Sequence, residues 1–215
     1  MPNRQHTWIA HHTEEKYYKL AKAEGYRARS AFKLLQIMKK HPIFEVNGHF
    51  PETILDLGCS PGSWIEVIIK TYEENRESIK RTPRILGIDL TTPRPFDTTM
   101  FEFFRCDIFK EQCEEKIKTW NPRGYDLILS DLAPKTSGND SSIAIQEGMV
   151  ERVLEFAGKY LHTHGNIVVK VFQTEFTQEI VKKWTTKFDT VRLSKPPAST
   201  GSSRETFLVG LDFIQ

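Results

Sequence analysis

The stretch Thr53–Trp64 reads TILDLGCSPGSW, and its reading decides the fold. Ile54, Leu55 and Leu57 give it strand character around one acid, Asp56. A turn of small residues follows: Gly58, Cys59, Ser60, Pro61, Gly62 and Ser63. A helical pattern then opens at Trp64 and runs on as IEVIIKTY. Strand, glycine turn and helix start, in that order, place a ligand site at the carboxyl end of a parallel strand. Gly58 and Gly62 permit positive φ and a close backbone approach to a ligand.

Two better-known loops are excluded. Ser60 and Pro61 interrupt any G-x-G-x-x-G, and no G-K-[ST] supplies a phosphate-gripping lysine. A strand acid followed by a short glycine turn suits a ligand with an amine and a ribose, and not a triphosphate. S-adenosylmethionine is such a ligand. An ordinary strand-to-helix turn of an α/β domain is the alternative on this stretch alone.

Outward from it, strands alternate with helices. Strands are expected near 53–57, 85–90, 102–106, 125–131, 166–172, 190–195 and 205–213. ILGIDL, YDLILSD and NIVVKVF are short and almost wholly apolar, as strands buried on both faces should be. Helical patterns fall near 63–75, 109–120, 144–162 and 174–188. In the third, Ile145, Met149, Val153, Phe156 and Tyr160 recur at helical spacing and point to the core. The alternation predicts an α/β fold, a largely parallel sheet with helices on both faces. No helix separates the last two strands, so the last should run antiparallel to its neighbours.

Before the sheet, Met1–His12 lacks periodicity and reads as a flexible tail. His6, His11 and His12 have no acid or cysteine at matching spacing, so no metal site is expected. Glu14–Glu24 reads as a surface helix ended by Gly25. Ser30 can cap a second helix whose core stripe is Phe32, Leu34, Leu35, Ile37 and Met38, with Pro42 ending it.

The 215 residues fit one α/β domain, with residues 1–45 as a basic tail and helices on its face and 46–215 as the body. Residues 1–45 hold nine Lys/Arg against four acids, while the whole chain carries only +2. The body is therefore slightly acidic, and the basic segment suits a phosphate backbone or a solvated helix face. Lys16, Lys19, Lys22, Arg27 and Arg29 are its candidate phosphate-backbone contacts. No apolar run approaches the ~18 residues of a membrane helix, and no signal-peptide core is present. Cys59, Cys106 and Cys113 lack C-x-x-C spacing, which argues for a reducing compartment without a disulfide framework. A cytoplasmic monomer is expected, with nucleolar or organellar settings open.

Several polar residues fall at expected strand ends, where open α/β sheets bind ligands. Asp89 closes the second strand, with Leu90 after it, in position for ribose hydroxyls. Asp107, followed by Ile108, is placed for an adenine amine or as a helix cap. Asp131 closes the fourth strand. Lys170 lies within the apolar run NIVVKVF, where a lysine is costly to bury unless paired. Glu205 opens the last strand, where it either serves a site or pairs with Arg204 in solvent.

YYKLAKAEGYRARSAFKLLQI, DLGCSPGSW, SDLAPKTSG, VVKVFQ and KPPASTGSSRE resemble, in order, the blocks of the FtsJ family of RrmJ-type ribose 2′-O-methyltransferases. The resemblance covers nearly the whole chain from Tyr17. It implies a Lys-Asp-Lys-Glu catalytic tetrad, matched by Lys33, Asp131, Lys170 and Glu205. It implies a Rossmann-like, seven-stranded S-adenosylmethionine-dependent methyltransferase fold. The cofactor site would comprise Asp56, Gly58, Pro61, Gly62, Ser63, Trp64, Asp89, Leu90, Asp107, Ile108 and Asp131. It implies an RNA substrate, with a uridine of large-subunit ribosomal RNA favoured and the tRNA anticodon loop as the alternative. A non-catalytic RNA-binding assembly factor and a nucleotide-dependent oxidoreductase are the competing classes. Cys59-Ser60, Ser63, Lys135 and Thr174 depart from the family's commoner residues, and the last two bear on RNA preference.

The implied reaction is in-line attack of a ribose 2′-hydroxyl on the methyl, with Lys170 accepting the proton. For that its pKa must fall well below the ordinary lysine value of ~10.4. Burial and Lys33 push it down while Asp131 pulls it up, so Asp131 is better cast as orienting Lys170.

Overall fold

Apolar runs buried on both faces build the centre of the molecule. The computed structural model describes residues 4–134, 140–200 and 203–214. Its seven-stranded sheet comprises β1 (Thr53–Leu57), β2 (Arg84–Asp89), β3 (Phe101–Arg105), β4 (Tyr125–Ser130), β5 (Leu161–Phe172), β6 (Phe188–Ser194) and β7 (Glu205–Phe213). Their order across the sheet is β3-β2-β1-β4-β5-β7-β6. The first five pair in parallel. β7 runs antiparallel to both β5 and β6, as its short connection to β6 requires.

Two apolar layers cover the sheet. One joins Leu55, Leu57, Ile128 and Val169 to helices α4 (Glu111–Trp120), α5 (Asp140–Tyr160) and α6 (Glu175–Trp184). The other joins Ile54, Ile85, Leu127, Leu129 and Val168 to α2 (Ala31–Lys40) and α3 (Ser63–Glu74). Alternate residues of β1 and β4 thus face opposite layers, as strand geometry dictates. The strand order reverses direction between β1 and β4, so a crevice opens beyond their carboxyl ends.

The amino-terminal expectation needs correction. Helix α1 spans Arg4–Ala23, so most of the stretch expected to be flexible is helical. No glycine or proline interrupts the chain between Arg4 and Ala23, and nothing halts helix propagation there. Tyr17 and Ala21 of α1 are buried against Phe32 of α2 and Ala198.

Ser30 precedes α2, but its side chain makes no capping bond; its hydroxyl donates to Ser63 Oγ at 3.0 Å. Asp107 does not cap α4, whose first residue is Glu111; its carboxylate accepts from the Phe109 amide at 3.0 Å. Ile145 is exposed, because the buried stripe of α5 begins with the polar pair Ser142 and Gln146, one step around the helix. α5 also ends at Tyr160, and β5 starts at Leu161, earlier than its apolar run suggests. The pairing of β5 with β4 is irregular there, and His164 sits at φ +68°. Among the described residues no helix is long and apolar enough to cross a membrane.

At the amino ends of the strands, Asp126 ties three elements together. Its Oδ2 accepts from the Glu52 and Thr53 amides, both at 2.8 Å, and Oδ1 faces His162 Nδ1 at 2.8 Å. His162 Nε2 faces the Arg123 carbonyl at 2.6 Å. Both ring nitrogens therefore face acceptors, and only an imidazolium donates to both. The Asp126 hydrogen bond, opposed by partial burial, raises the His162 pKa. A raised histidine stabilises fully below the unfolded value of ~6.5, and the contribution fades as pH rises through the folded value. Denaturation of wild type and His162→Asn should differ by up to ~1 kcal/mol near pH ~5.5, the gap closing toward pH ~8.5. A gap independent of pH would remove the imidazolium.

Candidate active site

The turn after β1 starts where Gly58 N donates to the Ile88 carbonyl at 2.8 Å. Gly58 adopts φ +84° and Gly62 φ +104°, conformations that favour glycine. Beside the turn a cleft of about 340 Å³ is lined by Gly58, Asp89, Leu90, Asp107, Ile108 and Asp131, together with Ser60, Phe109 and Met149. Asp89 shapes it from within: Oδ2 accepts from the Ser60 amide at 3.0 Å and Oδ1 from the Thr91 amide at 2.8 Å. Leu90 and Phe109 leave apolar surface exposed at its mouth.

Asp56 lies beneath the turn, 1% exposed, with no hydrogen-bond partner on either carboxylate oxygen among the described residues. Burial, then the charges of Asp131 and Asp89, push its pKa well above the ordinary carboxylate value. A buried carboxyl without a partner is expensive, so this one is suited to a cationic ligand group.

Asp56, Pro61, Gly62, Ser63 and Trp64 are absent from the cleft lining. The Pro61 carbonyl accepts from Arg27, Ser63 from Ser30, and Trp64 Nε1 donates to the Ser30 carbonyl at 2.9 Å. These residues dock the amino-terminal segment on the turn.

Next to the cleft four charged side chains converge from four elements. Lys33 comes from α2, Asp131 follows β4, Lys170 lies in β5 and Glu205 opens β7. Lys170 Nζ donates to the Asp131 carbonyl at 2.6 Å and lies 3.0 Å from Asp131 Oδ1. Lys33 Nζ lies 2.8 Å from both oxygens of Glu205 and 3.9 Å from Asp131 Oδ1. Their side chains are between 5% and 19% exposed, so water screens these charges poorly. Burial acts to raise the Asp131 pKa, but Lys170 and Lys33 overcome it and hold the carboxyl below its usual value. The set therefore offers an ionised carboxylate touching an amine at the edge of a ligand cleft.

The sequence reading missed the supports of this group. Ser199, 6% exposed, donates from Oγ to Glu205 Oε1 at 2.7 Å. Its neighbour Ala198 donates from its amide to Gln36 Oε1 at 2.8 Å, and Gln36 Nε2 donates to the Tyr17 hydroxyl at 3.0 Å. Gln146, buried on α5, donates to the Lys170 carbonyl at 3.0 Å. The polar residues beside the apolar stripes, Gln36 half-buried on α2 and Gln146 buried on α5, were the available signal.

Of the candidate RNA contacts, Lys16, Lys19 and Lys22 stand exposed along α1, with Lys19 paired to Glu15 at 2.6 Å. Arg29 pairs with Glu14 at 3.0 Å. Arg27 is directed inward, to Glu66 and three carbonyls. Lys135 lies outside the described residues. Thr174 Oγ1 donates to Glu147 Oε1 at 3.0 Å, joining the end of β5 to α5.

Residues 26–213 match the family model described as FtsJ-like methyltransferase. The chain is 37% identical over 205 residues to Ribosomal RNA large subunit methyltransferase E of Acinetobacter baylyi, covering 94% of this chain and 89% of that protein. It is 32% identical over 209 residues to the protein of the same name from Methanosphaera stadtmanae, covering 96% of each. Its fold is similar to the crystal structure of a Plasmodium falciparum chain assigned as a ribosomal RNA methyltransferase, with TM-score 0.72 and 28% identity over 87% of this chain and 98% of that one. A family match running from the segment before α2 to the end of β7, with relatives alike along almost their full length, means that the chain belongs to the FtsJ-like methyltransferase family.

Proposed function

We propose that this methyltransferase transfers a methyl group from S-adenosylmethionine to a ribose 2′-hydroxyl of large-subunit ribosomal RNA. The observation that carries the reading is the convergence of Lys33, Asp131, Lys170 and Glu205 beside the cleft at the end of β1. The substrate class follows the names of the two relatives.

The residues present fit the donor. Asp56 offers an unpartnered carboxyl to an ammonium group. Asp89 and Asp107 stand at the strand ends for hydroxyl and amine donors, and Leu90 and Phe109 suit a flat base. When bound, S-adenosylmethionine supplies an electrophilic methyl on a sulfonium sulfur. Lys170 Nζ donates one hydrogen bond to the Asp131 carbonyl and lies in ion-pair range of its carboxylate, which leaves a direction for the ribose hydroxyl. Lys170 accepts the hydroxyl proton at Nζ. Asp131 stays ionised and orients that amine. Lys33 is fixed by Glu205, and Glu205 in turn by Ser199, so the acceptor hydroxyl meets a preset arrangement. Such positioning can supply ~7–11 kcal/mol of the barrier reduction. Residues 1–45 add the RNA-binding face, with Lys16, Lys19, Lys22 and Arg29 beside the phosphates.

Labelled S-adenosylmethionine offered with separate RNA pools should label large-subunit ribosomal RNA; label confined to tRNA would move the assignment to the anticodon loop. Lys170→Ala should abolish transfer while donor affinity changes by less than about twofold, a difference under ~0.4 kcal/mol. Full activity in that variant would remove Lys170 from the mechanism.

Ser199→Ala deletes one hydrogen bond to a charged carboxylate, typically ~1.5–3 kcal/mol, so kcat should fall by about 10- to 100-fold. Ser199→Thr should restore kcat, and an unchanged kcat with lower thermal stability would make Ser199 structural only.

Reversing Lys16, Lys19 and Lys22 to Glu should weaken RNA binding and flatten its salt dependence by about one unit of slope per lost phosphate contact. An unchanged slope would return α1 to a solvated face.

A further inference from the structure

Arg27 stands in the basic segment, yet its guanidinium is committed inside the protein. Nε donates to Glu66 Oε1 at 3.1 Å, and the Arg27 amide donates to Glu66 Oε2 at 2.7 Å. Nη1 donates to the carbonyls of Pro61, at 3.3 Å, and Arg94; Nη2 donates to the Pro95 carbonyl at 2.8 Å. The guanidinium carbon lies 3.5 Å from the centroid of the Phe96 ring, so one face is covered as well. The side chain is 13% exposed. A guanidinium has five N–H donors in a rigid plane, and four hydrogen bonds to protein oxygens leave little of it for a phosphate.

The partners belong to three separate segments. Glu66 is on the first turn of α3, Pro61 is in the turn after β1, and Arg94–Phe96 lie in the connection from β2 to β3. That connection begins at Leu90 and Thr91, which line the cleft with Asp89. Gly62 supplies an independent observation. A Cβ there would lie 2.6 Å from Phe96 Cζ and 3.1 Å from Arg27 Nη1. An aromatic ring wedged between an arginine and a backbone cannot yield that distance as a flexible chain end would. Within the protein, then, what a side chain at position 62 would displace is the Arg27–Phe96 stack.

We propose that Arg27 is a positioning residue of the methyl-donor site and not a phosphate contact: it clamps the 58–63 turn and the 91–97 connection to the segment that leads into α2. This rests on the reading of that cleft as the donor site. Lysine cannot substitute, because a point charge on a flexible stem reproduces neither the planar fork nor the stack.

Hydrogen exchange of the ligand-free protein tests the clamp whether or not the donor reading holds. In Arg27→Lys, peptides spanning 58–63 and 91–97 should exchange about tenfold faster, with the β4–β5 core unchanged. Phe96→Leu, which alters no charge, should show the same pattern and keeps the measurement available if Arg27→Lys does not fold. S-adenosylmethionine should bind both variants about tenfold more weakly by calorimetry. The salt slope of RNA binding should match wild type, also in Arg27→Gln, which removes the charge. Unchanged exchange at both segments would overturn the clamp. A slope reduced by about one unit in Arg27→Gln, with donor affinity intact, would return Arg27 to the phosphate backbone. Faster exchange in a protein whose wild type does not bind S-adenosylmethionine would leave the clamp standing and sink the donor assignment.

Discussion

An ammonium group buried in the middle of a sheet has to be neutralised where it stands. Lys170 is 5% exposed between Val169 and Val171, on a strand covered on both faces. Desolvating one such ion costs several kcal/mol unless a counter-charge sits in good geometry. Asp131 supplies it twice, with a carboxylate and a carbonyl, from the end of the neighbouring parallel strand. The second pair, Lys33 and Glu205, makes the group neutral overall. This requirement also gives meaning to the one reversed strand. Because β7 is antiparallel to β5, its first residue lies opposite Phe172, at the carboxyl end of β5. A parallel strand would carry Glu205 to the far end of the sheet, and Lys33 would have no carboxylate at 2.8 Å.

Two buried carboxyls on adjacent strands show how local the electrostatics are. Asp56 and Asp131 both lose water, and burial presses both toward the neutral acid. Asp131 has two ammonium groups within 3.9 Å and stays ionised. Asp56 has none among the described residues, and the neighbouring carboxylates add to the pressure. One settled negative charge at the cleft, on Asp131, therefore lies beside one buried carboxyl without a hydrogen-bond partner among the described residues. A cationic ligand would relieve the second without disturbing the first, which is the asymmetry a sulfonium donor bearing an ammonium group can use.

What was legible in the sequence was what burial writes into residue type. Continuous apolar runs mark strands covered on both faces, and a lone lysine in such a run marks a site, because no structural role compensates it. Position within a tertiary contact leaves no such trace. A count of charges treats Arg27 and Lys22 alike, although one is sequestered and the other exposed. Gly62 reads as room for a ligand, while the atoms it spares in the protein are a ring and a guanidinium. Ser199 lies in an aperiodic loop, where no spacing marks its hydroxyl. The start of α1 was missed for a different reason: its residues show no amphipathic period, yet nothing in them breaks a helix.

These contacts change the standing of the amino-terminal segment. Trp64 and Ser63 hold Ser30, Arg27 holds the donor turn, and Gln36 holds the loop that carries Ser199. All of these tethers lie within about two turns of Lys33, along or just before α2, and so act on a short rigid rod. A helix tethered before its start and at its middle to two separate segments cannot tilt without moving Lys33 from Glu205. On the proposed function, α1, which carries the exposed basic face, packs on that same rod through Tyr17 and Ala21. Substrate docked on α1 would then meet the acceptor amine at a distance set by packing, with no separate closing motion required to assemble the site.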